Sequence, residues 1–260
     1  MTKLISAAAM LAIAAGANAT VIYSTGFENP PFAVAALSGQ GTPAYAVTST
    51  NFNVNNGAGL AHSGTQYARI SGSGTSTSGS WAWADNTRTA AQLASGGMII
   101  RASIWVNLST TGAIGTRLYR AGLDLYNDTG ASRVGAVGIN LDGSVSFING
   151  AATNASVSTA AGAVALNAWH NLIVEADFAA HTLAFTVDGV AITTPAGFGV
   201  FDAGITGFGD ADLYSVRGST GTNTTTEHRY DDLSIEQIPA PGALALVGLG
   251  GLIAARRRRA

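Results

Sequence analysis

The chain of 260 residues contains no cysteine, only one lysine (Lys3), and few charged residues overall, at 11%. Without cysteine, no disulfide can stabilise an exported domain, and a metal ion would need oxygen or histidine ligands. Residues 20–238 carry 8 arginines and 15 acidic residues, a net charge of −7. This acidic balance argues against nucleic acid as a partner.

Motifs for common catalytic and zinc sites are also missing. There is no Gly-x-Ser-x-Gly sequence for a nucleophilic serine. The four histidines, His62, His170, His181 and His228, do not have zinc-site spacing. We therefore predict no catalytic residue and expect a protein that is not an enzyme.

The amino end has the pattern of a secretory signal peptide. Lys3 precedes an apolar run over residues 4–15, which is followed by Ala17-Asn18-Ala19, an A-x-A cleavage site. Cleavage by signal peptidase after Ala19 would leave a mature protein beginning at Thr20. The sequence therefore predicts export.

The carboxyl end has three consecutive parts. Pro239 and Pro241 cannot lie inside a helix, although Pro241 can begin one. Residues 242–255 are apolar and would form a helix about 21 Å long, which is short for a bilayer core of roughly 30 Å. Four arginines end the segment and should remain cytoplasmic: Arg256, Arg257, Arg258 and Arg259.

This order of Pro-x-Pro, apolar helix and arginine cluster resembles the PEP-CTERM sorting signal of bacteria, with Ala240 in place of the family's glutamate. The resemblance implies recognition by an exosortase, a membrane cysteine protease, and cleavage near the prolines. Before processing, the helix would anchor the protein in the membrane, and afterwards the protein would lie at the cell envelope or outside the cell. The alternative is an ordinary tail anchor with a basic stop.

The region between the two termini predicts an all-β sandwich, because short β-type runs are separated by small polar residues and long helical periodicity is absent. The two indoles of Trp81 and Trp83 should share one face of a strand. The predicted strands are residues 21–24, 42–49, 66–71, 98–107, 117–127, 205–208, 213–216 and 230–236, with hairpins at 137–149 and from 169 onward. We expect residues 151–165 to form a long loop or an irregular edge.

Turn chemistry predicts the register of the two hairpins. Asp188-Gly189 is a two-residue turn that would place Val187 opposite Val190, and Phe185 opposite Ile192. For the hairpin around residues 142–143, a two-residue turn pairs position 141 with 144, and a three-residue loop pairs 141 with 145. The second register keeps apolar residues opposite one another, so we prefer it.

Several segments resemble concanavalin A-like and laminin-G-like jelly rolls. They include the Trp169-His170-Asn171 segment, the Val187-Asp188-Gly189 turn, Gly26-Phe27-Glu28 near the start and the 230–235 segment at the end. The predicted organisation is a signal peptide over residues 1–19, a single jelly-roll β-sandwich over 20–237, and a sorting tail over 238–260. This fold hosts lectins, hydrolases and adhesion modules, so it does not define an activity.

The same resemblance implies a calcium site. MAM-type relatives use a similar Phe-Glu opening and Asp-Asp ending, and the equivalent Glu and Asp help to bind calcium. In this chain the matching residues are Glu28 and Asp232. Carboxylate oxygens are ligands that Ca²⁺ prefers, and the alternative is a pair of surface acids beside a core strand.

The sequence also suggests sugar-binding residues. Aromatic rings stack on sugars, while Arg and Asp bond to hydroxyl groups. Five residues could share the concave face of one sheet: Trp105, Arg101, Arg120, Asp124 and Tyr126. The alternative is that Trp105 packs under a loop.

Laminarinase-type hydrolases of this fold carry Glu-x-Asp-x-x-Glu on one strand. The segment beginning at Glu175 and Asp177 ends instead in Ala180 and lacks one carboxylate. We expect the protein to bind or organise extracellular polysaccharide without catalysis. The alternatives are a glycan-active hydrolase or lyase, which an acidic pair in an open groove would favour, and a structural matrix protein, which a flat, filled face would favour.

Overall fold

The computed structural model describes residues 19–49, 51–72, 79–111, 119–150, 156–194, 197–217 and 225–239. These residues form fifteen named strands and one short helix. The elements are β1 Thr20–Thr25, β2 Ala46–Val47, β3 Phe52–Asn56, β4 Gln66–Gly72, β5 Gly79–Trp83, α1 Ala90–Gly96, β6 Ile99–Thr111, β7 Tyr119–Asn127, β8 Arg133–Asn140, β9 Val145–Asn149, β10 Ser156–Ser158, β11 Trp169–Asp177, β12 Thr182–Val187, β13 Val190–Ile192, β14 Phe208–Arg217 and β15 Thr225–Ile238. No helix among the described residues is long and apolar enough to cross a membrane.

The strands form two antiparallel sheets that pack face to face. The eight-stranded sheet has the order β13-β12-β11-β6-β15-β4-β3, and β1 pairs with β15 beside β4. The seven-stranded sheet has the order β10-β9-β8-β7-β14-β5-β2. The all-β sandwich predicted from the sequence is therefore confirmed.

The core lies between the sheets because apolar residues alternate along the central strands. In β6, Ile100, Ala102, Ile104 and Val106 are buried toward the core, as the sequence predicts. The β12–β13 hairpin also has its predicted register: Val187 pairs with Val190 and Phe185 with Ile192. Asp188 and Gly189 form the turn with φ values of 50° and 77°, as a turn of this type requires.

The β8–β9 hairpin corrects the preferred register by two residues. Ile139 pairs with Val145 and Val137 with Phe147, and the loop consists of residues 141–143. The apolar side chains still share the core face, because a shift of two preserves the alternation. Leu141 lies in the loop and is only 1% exposed.

Two elements are absent from the sequence prediction. The strand β3 pairs with β4, and α1 begins after Thr89, whose side chain forms a capping box with Gln92. The amide of Gln237 in β15 donates to the backbone oxygens of Gln92, at 3.1 Å, and Gly97, at 2.9 Å. These bonds fasten the helix to the last strand of the sheet.

Candidate functional site

Glu28 and Asp232 lie beside the same loop. Pairing of β1 with β15 brings the two ends of the domain together, and the loop at residues 62–66 hydrogen-bonds to both carboxylates. Glu28 accepts from the backbone N–H groups of Thr65 and Gln66, both at 2.7 Å. Asp232 accepts from the Ser63 hydroxyl at 2.7 Å and contacts His62 Nδ1 at 2.7 Å.

The neighbouring Asp231 also accepts hydrogen bonds from this loop. It is fully buried, and its Oδ2 accepts from the backbone N–H groups of His62 at 2.9 Å and Ser63 at 3.1 Å. Burial raises the pKa of Asp231 to about 7 despite these bonds. In Glu28 the balance is reversed: burial acts to raise the pKa, but the hydrogen bonds from Gln66 and Thr65 outweigh it and lower the pKa.

The ligand chemistry at Glu28 and Asp232 suits a calcium ion, since both offer carboxylate oxygens. They supply only two of the roughly 6–8 oxygens that Ca²⁺ takes. Over the described ranges, no group of three or more His, Asp or Glu side chains is placed to hold a metal ion. Backbone oxygens and water would have to complete the shell, and calcium remains a proposal.

The five sugar-binding candidates are divided between the two sheets, which corrects the expectation of one shared face. Arg101 and Trp105 belong to β6 in the eight-stranded sheet. Arg120, Asp124 and Tyr126 belong to β7 in the seven-stranded sheet. Alternation placed the residues of each strand correctly, but it carries no information about which sheet a strand joins.

The residues on β6 are engaged by their neighbours. The His62 ring stacks on Trp105, with centroids 3.8 Å apart, so Trp105 packs under the loop at residues 62–66. Arg101 Nε donates to Glu175 Oε1 at 2.6 Å. Because these contacts occupy the β6 side chains, the outer face of the seven-stranded sheet is the better candidate for a binding site.

An open groove of about 520 Å³ lies on that face, at one end of β5, β7 and β14. Trp81 and Trp83 from β5 and Tyr126 from β7 line it with aromatic rings, and Asp210 and Asp212 from β14 line it with carboxyl groups. The predicted alternation of the two indoles is confirmed, because both lie on this face while Ala82 between them is buried. We call this feature the β14 groove.

Asp124 supports the groove and is itself inaccessible. Its carboxylate is fully buried and accepts two hydrogen bonds from Arg133, each of 2.7 Å. Trp81 Nε1 donates to the same carboxylate at 3.2 Å. Burial raises the pKa of Asp124 in spite of the arginine. The paired charges hold the Trp81 indole in position, so Asp124 is a positioning residue.

Asp210 and Asp212 form a carboxyl pair on β14, and Arg133, which acts to lower the pKa of Asp212, is itself bonded to Asp124. Asp210 and Asp212 are only 7% and 5% exposed, and Oδ1 of each has no hydrogen-bond partner. A hydrogen bond between the two side chains contributes to the pKa of each, in opposite directions. Burial and neighbouring aspartates raise the pKa of Asp210 to about 6 and that of Asp212 well above its ordinary value.

The acidic pair was missed because the predicted strand began at residue 213, after both acids. In the structure, β14 begins at Phe208, and its pairing with β7 is irregular between Phe208 and Ala211. Such bulges redirect side chains. Gly209 lies where a Cβ would collide with the carbonyl oxygen of Asn127. The alternating Asp-x-Asp after this glycine is the signal that could have identified the pair.

The predicted targeting motifs lie mainly outside the described residues. These are Ala17 at the signal cleavage site, and Pro241 with Arg256, Arg257, Arg258 and Arg259 in the tail. Ala19 and Pro239 are the outermost described residues at either end, and neither belongs to a strand.

No protein-family model matches the chain, and no curated protein matches it significantly. Several solved structures match in fold. A botulinum neurotoxin type C chain, from work on cell entry through two ganglioside molecules, aligns with a TM-score of 0.53 and 11% identity. The alignment covers 93% of this chain and 52% of the toxin chain, so this protein spans about half of that neighbour.

Two other neighbours are matched over nearly their whole length. Alginate lyase Aly36B aligns with a TM-score of 0.55 and 11% identity over 82% of this chain and 95% of that chain. The cellulose induced protein Cip1 aligns with a TM-score of 0.53 and 10% identity over 84% and 98%. At these identities the matches show the fold alone, which is the jelly-roll β-sandwich predicted from the sequence.

Proposed function

We propose that the protein binds or organises extracellular polysaccharide through the β14 groove, without catalysis. The observation that carries the proposal is the convergence of three aromatic rings with unpartnered carboxyl oxygens in one open groove. Trp83 and Tyr126 provide flat apolar surfaces for sugar rings. Asp210 and Asp212 line the groove, and their Oδ1 atoms are buried without a hydrogen-bond partner, so a hydroxyl group that reaches them would relieve the cost of leaving buried polar atoms unpaired.

The fold neighbours support a glycan as the ligand. They include a toxin whose entry involves gangliosides, an alginate lyase and a cellulose induced protein. The open groove argues against a flat, filled face, which the structural-matrix alternative requires. The seven-stranded sheet is the better candidate for ligand binding, since Trp105 on the other sheet is covered by His62.

A glycan-active hydrolase is the second candidate, and the Asp210–Asp212 pair favours it. The two carboxyl groups have raised pKa values and face an open groove, as a general acid would. However, they are in direct hydrogen-bond contact, whereas the two carboxyl groups of glycosidases are about 5–9.5 Å apart. A lyase acting on a uronate would need a group that neutralises the substrate carboxylate, and the residues lining the groove include no cation.

A glycan array with the purified protein tests the binding proposal. We expect retention of a restricted set of polysaccharides, and loss of that retention in Trp83→Ala. Glu236→Gln is the control, because Glu236 lies on the opposite sheet, away from the groove. Chain shortening of the bound glycan on prolonged incubation would establish the hydrolase alternative, and unchanged retention by Trp83→Ala would overturn the assignment to this groove.

We also propose that the protein is exported and processed by signal peptidase and an exosortase. The support is the sequence pattern at the two termini, together with the end of β15 at Ile238, immediately before Pro239. Calcium between Glu28 and Asp232 is a further proposal. It would relieve the repulsion that Asp232 exerts on Glu28 and join the two ends of a domain that has no cysteine.

A further inference from the structure

The charge of the β14 groove is one-sided. Four aspartates line it, Asp85, Asp128, Asp210 and Asp212, and no lining residue is an arginine, histidine or lysine. Two arginines lie beside the lining. Arg88 donates to the backbone oxygen of Thr87 at 3.2 Å, and the Arg133 guanidinium lies 5.8 Å from the Tyr126 ring centroid while it makes two 2.7 Å bonds to the buried carboxylate of Asp124. The lining side chains themselves therefore carry a net negative charge, even when Asp210 and Asp212 share one proton.

A second observation points to a ligand with several hydrogen-bond donors. Asp210 Oδ1 and Asp212 Oδ1 are buried, lack hydrogen-bond partners and belong to side chains that line the groove. A hydroxyl group supplies one donor and no charge, whereas a protonated amine supplies three donors and a positive charge. Trp83 lines the same groove, and aromatic faces attract cations. The Tyr126 ring already has the Arg133 guanidinium 5.8 Å from its centroid.

We propose that the β14 groove selects amine-bearing glycans, sugar polymers that carry protonated amino groups, over neutral and acidic ones. The proposal rests on the proposed polysaccharide-binding function and adds the chemical class of the ligand. A uronate polymer such as alginate would place its carboxylates beside four aspartates, and like charges in a partly desolvated groove repel. The ligand class would therefore differ from that of the alginate lyase, which shares the fold.

Isothermal titration of the purified protein with three oligosaccharides of equal length tests the proposal. The probes are a glucosamine oligomer, its N-acetylated counterpart and a mannuronate oligomer. We expect the glucosamine oligomer to bind at least about tenfold more tightly than the N-acetylated one, because charge-assisted hydrogen bonds are roughly twice as strong as neutral ones. We expect no measurable binding of the mannuronate oligomer.

Variants that each remove one negative charge test whether the charge of the groove determines the preference for the amine. At the exposed rim, Asp85→Asn should reduce the preference for the amine. Asp210→Asn, which changes a proposed acceptor for hydroxyl groups as well as a charge, should reduce the preference and also weaken binding of the N-acetylated oligomer. Glu236→Gln removes the same charge from the opposite sheet and should leave the preference intact. Added salt should weaken binding of the glucosamine oligomer more than binding of the N-acetylated one.

The failures of the two proposals are distinguishable. Equal or tighter binding of the N-acetylated oligomer, lost in Trp83→Ala, would overturn the amine selectivity and leave the glycan-binding groove standing. Tighter binding of mannuronate would overturn the charge argument as a whole. Absence of binding for all three oligomers, together with an empty glycan array, would overturn both proposals.

Discussion

The imidazole of His62 lies nearly parallel to the indole of Trp105, with ring centroids 3.8 Å apart and an interplanar angle of 14°. The same imidazole meets Trp169 edge-on at 5.8 Å, and its Nδ1 contacts Asp232 at 2.7 Å. One side chain thus fastens the loop at residues 62–66 to the outer face of the eight-stranded sheet. The loop in turn supplies the donors that hold Glu28 and Asp232.

Removing this ring should loosen the loop. His62→Ala loses the stacking and the bond to Asp232, and we expect the free energy of unfolding to fall by about 1–2 kcal/mol. Acrylamide should quench tryptophan fluorescence more strongly in the variant, because Trp105 becomes accessible. His62→Phe keeps a stacking ring and should lose less stability than His62→Ala. If both variants quench like the wild type, the ring does not cover Trp105.

The predicted core position of Phe185 gives a direct test of the register. Phe185 is 1% exposed and packs on Phe147, with ring centroids 5.1 Å apart. Phe185→Ala should therefore cost roughly 3–5 kcal/mol. Thr186→Ala, on the opposite face of β12, should cost much less. Denaturant titration measures both, and equal losses would mean that the assigned faces are wrong.

The Asp210–Asp212 pair should make stability depend on pH. The ordinary pKa of an aspartate is 3.8, and that of folded Asp210 is about 6, so the folded chain binds this proton more tightly. The resulting stabilisation is complete below about pH 3.8 and is lost as the pH rises through about 6. We expect the free energy of unfolding to decline between about pH 4 and pH 6.

Asp212→Asn identifies the source of that decline. The asparagine amide can donate to Asp210 as the protonated carboxyl does, but it cannot ionise. The decline between about pH 4 and pH 6 should therefore be shallower in the variant. Asp231, with a pKa raised to about 7, adds a decline that extends to about pH 7, so the comparison is between slopes measured by urea titration. Parallel curves for the two proteins would contradict the assignment.

Calcium at Glu28 and Asp232 should appear as a chelator effect. An ion that binds only the folded state stabilises it by about 2.7 kcal/mol at a hundredfold excess over Kd. We expect EDTA to lower the melting temperature of the wild type and to leave that of Asp232→Ala unchanged. Identical melting curves with calcium and with EDTA would show that Glu28 and Asp232 are held by their hydrogen bonds alone.

The tail proposal predicts a processing defect. Replacing Arg256, Arg257, Arg258 and Arg259 by serine removes the cytoplasmic stop, and retention and cleavage near Pro239 and Pro241 should both fail. Cell fractionation followed by mass spectrometry of the carboxyl end measures this in a host with an exosortase. An intact wild-type tail on protein released into the medium would contradict the sorting proposal.

Local patterns predicted the parts of the fold that local chemistry determines. Asp188-Gly189 defined its hairpin because only a few residues accept positive φ at both turn positions. Alternation also placed Trp81 and Trp83 on one face. Local patterns do not show which strands pair when the partners are far apart in the sequence. β6 pairs with β15, more than a hundred residues later in the chain, and β7 pairs with β14, about ninety residues later. Trp105 and Asp124 were consequently assigned to one face.

The site was harder to predict than the fold. Asp210 and Asp212 have low β-propensity, and their strand begins with an irregularity beside Gly209. Neither feature is typical of a strand read from sequence. Asp124 and Tyr126 were both recognised as candidates from the sequence. The structure distinguishes them, because Asp124 is buried in an ion pair with Arg133 whereas Tyr126 lines the groove.

The position of β15 has a consequence for the order in which the molecule can be completed. This strand pairs with β6 on one side and with β4 and β1 on the other, so the last of the described strands in chain order occupies the middle of its sheet. Until residues 225–238 emerge, β6 and β4 present open hydrogen-bonding edges. Folding of this sheet from the amino end therefore cannot be completed until β15 has been synthesised and has paired with β6, β4 and β1.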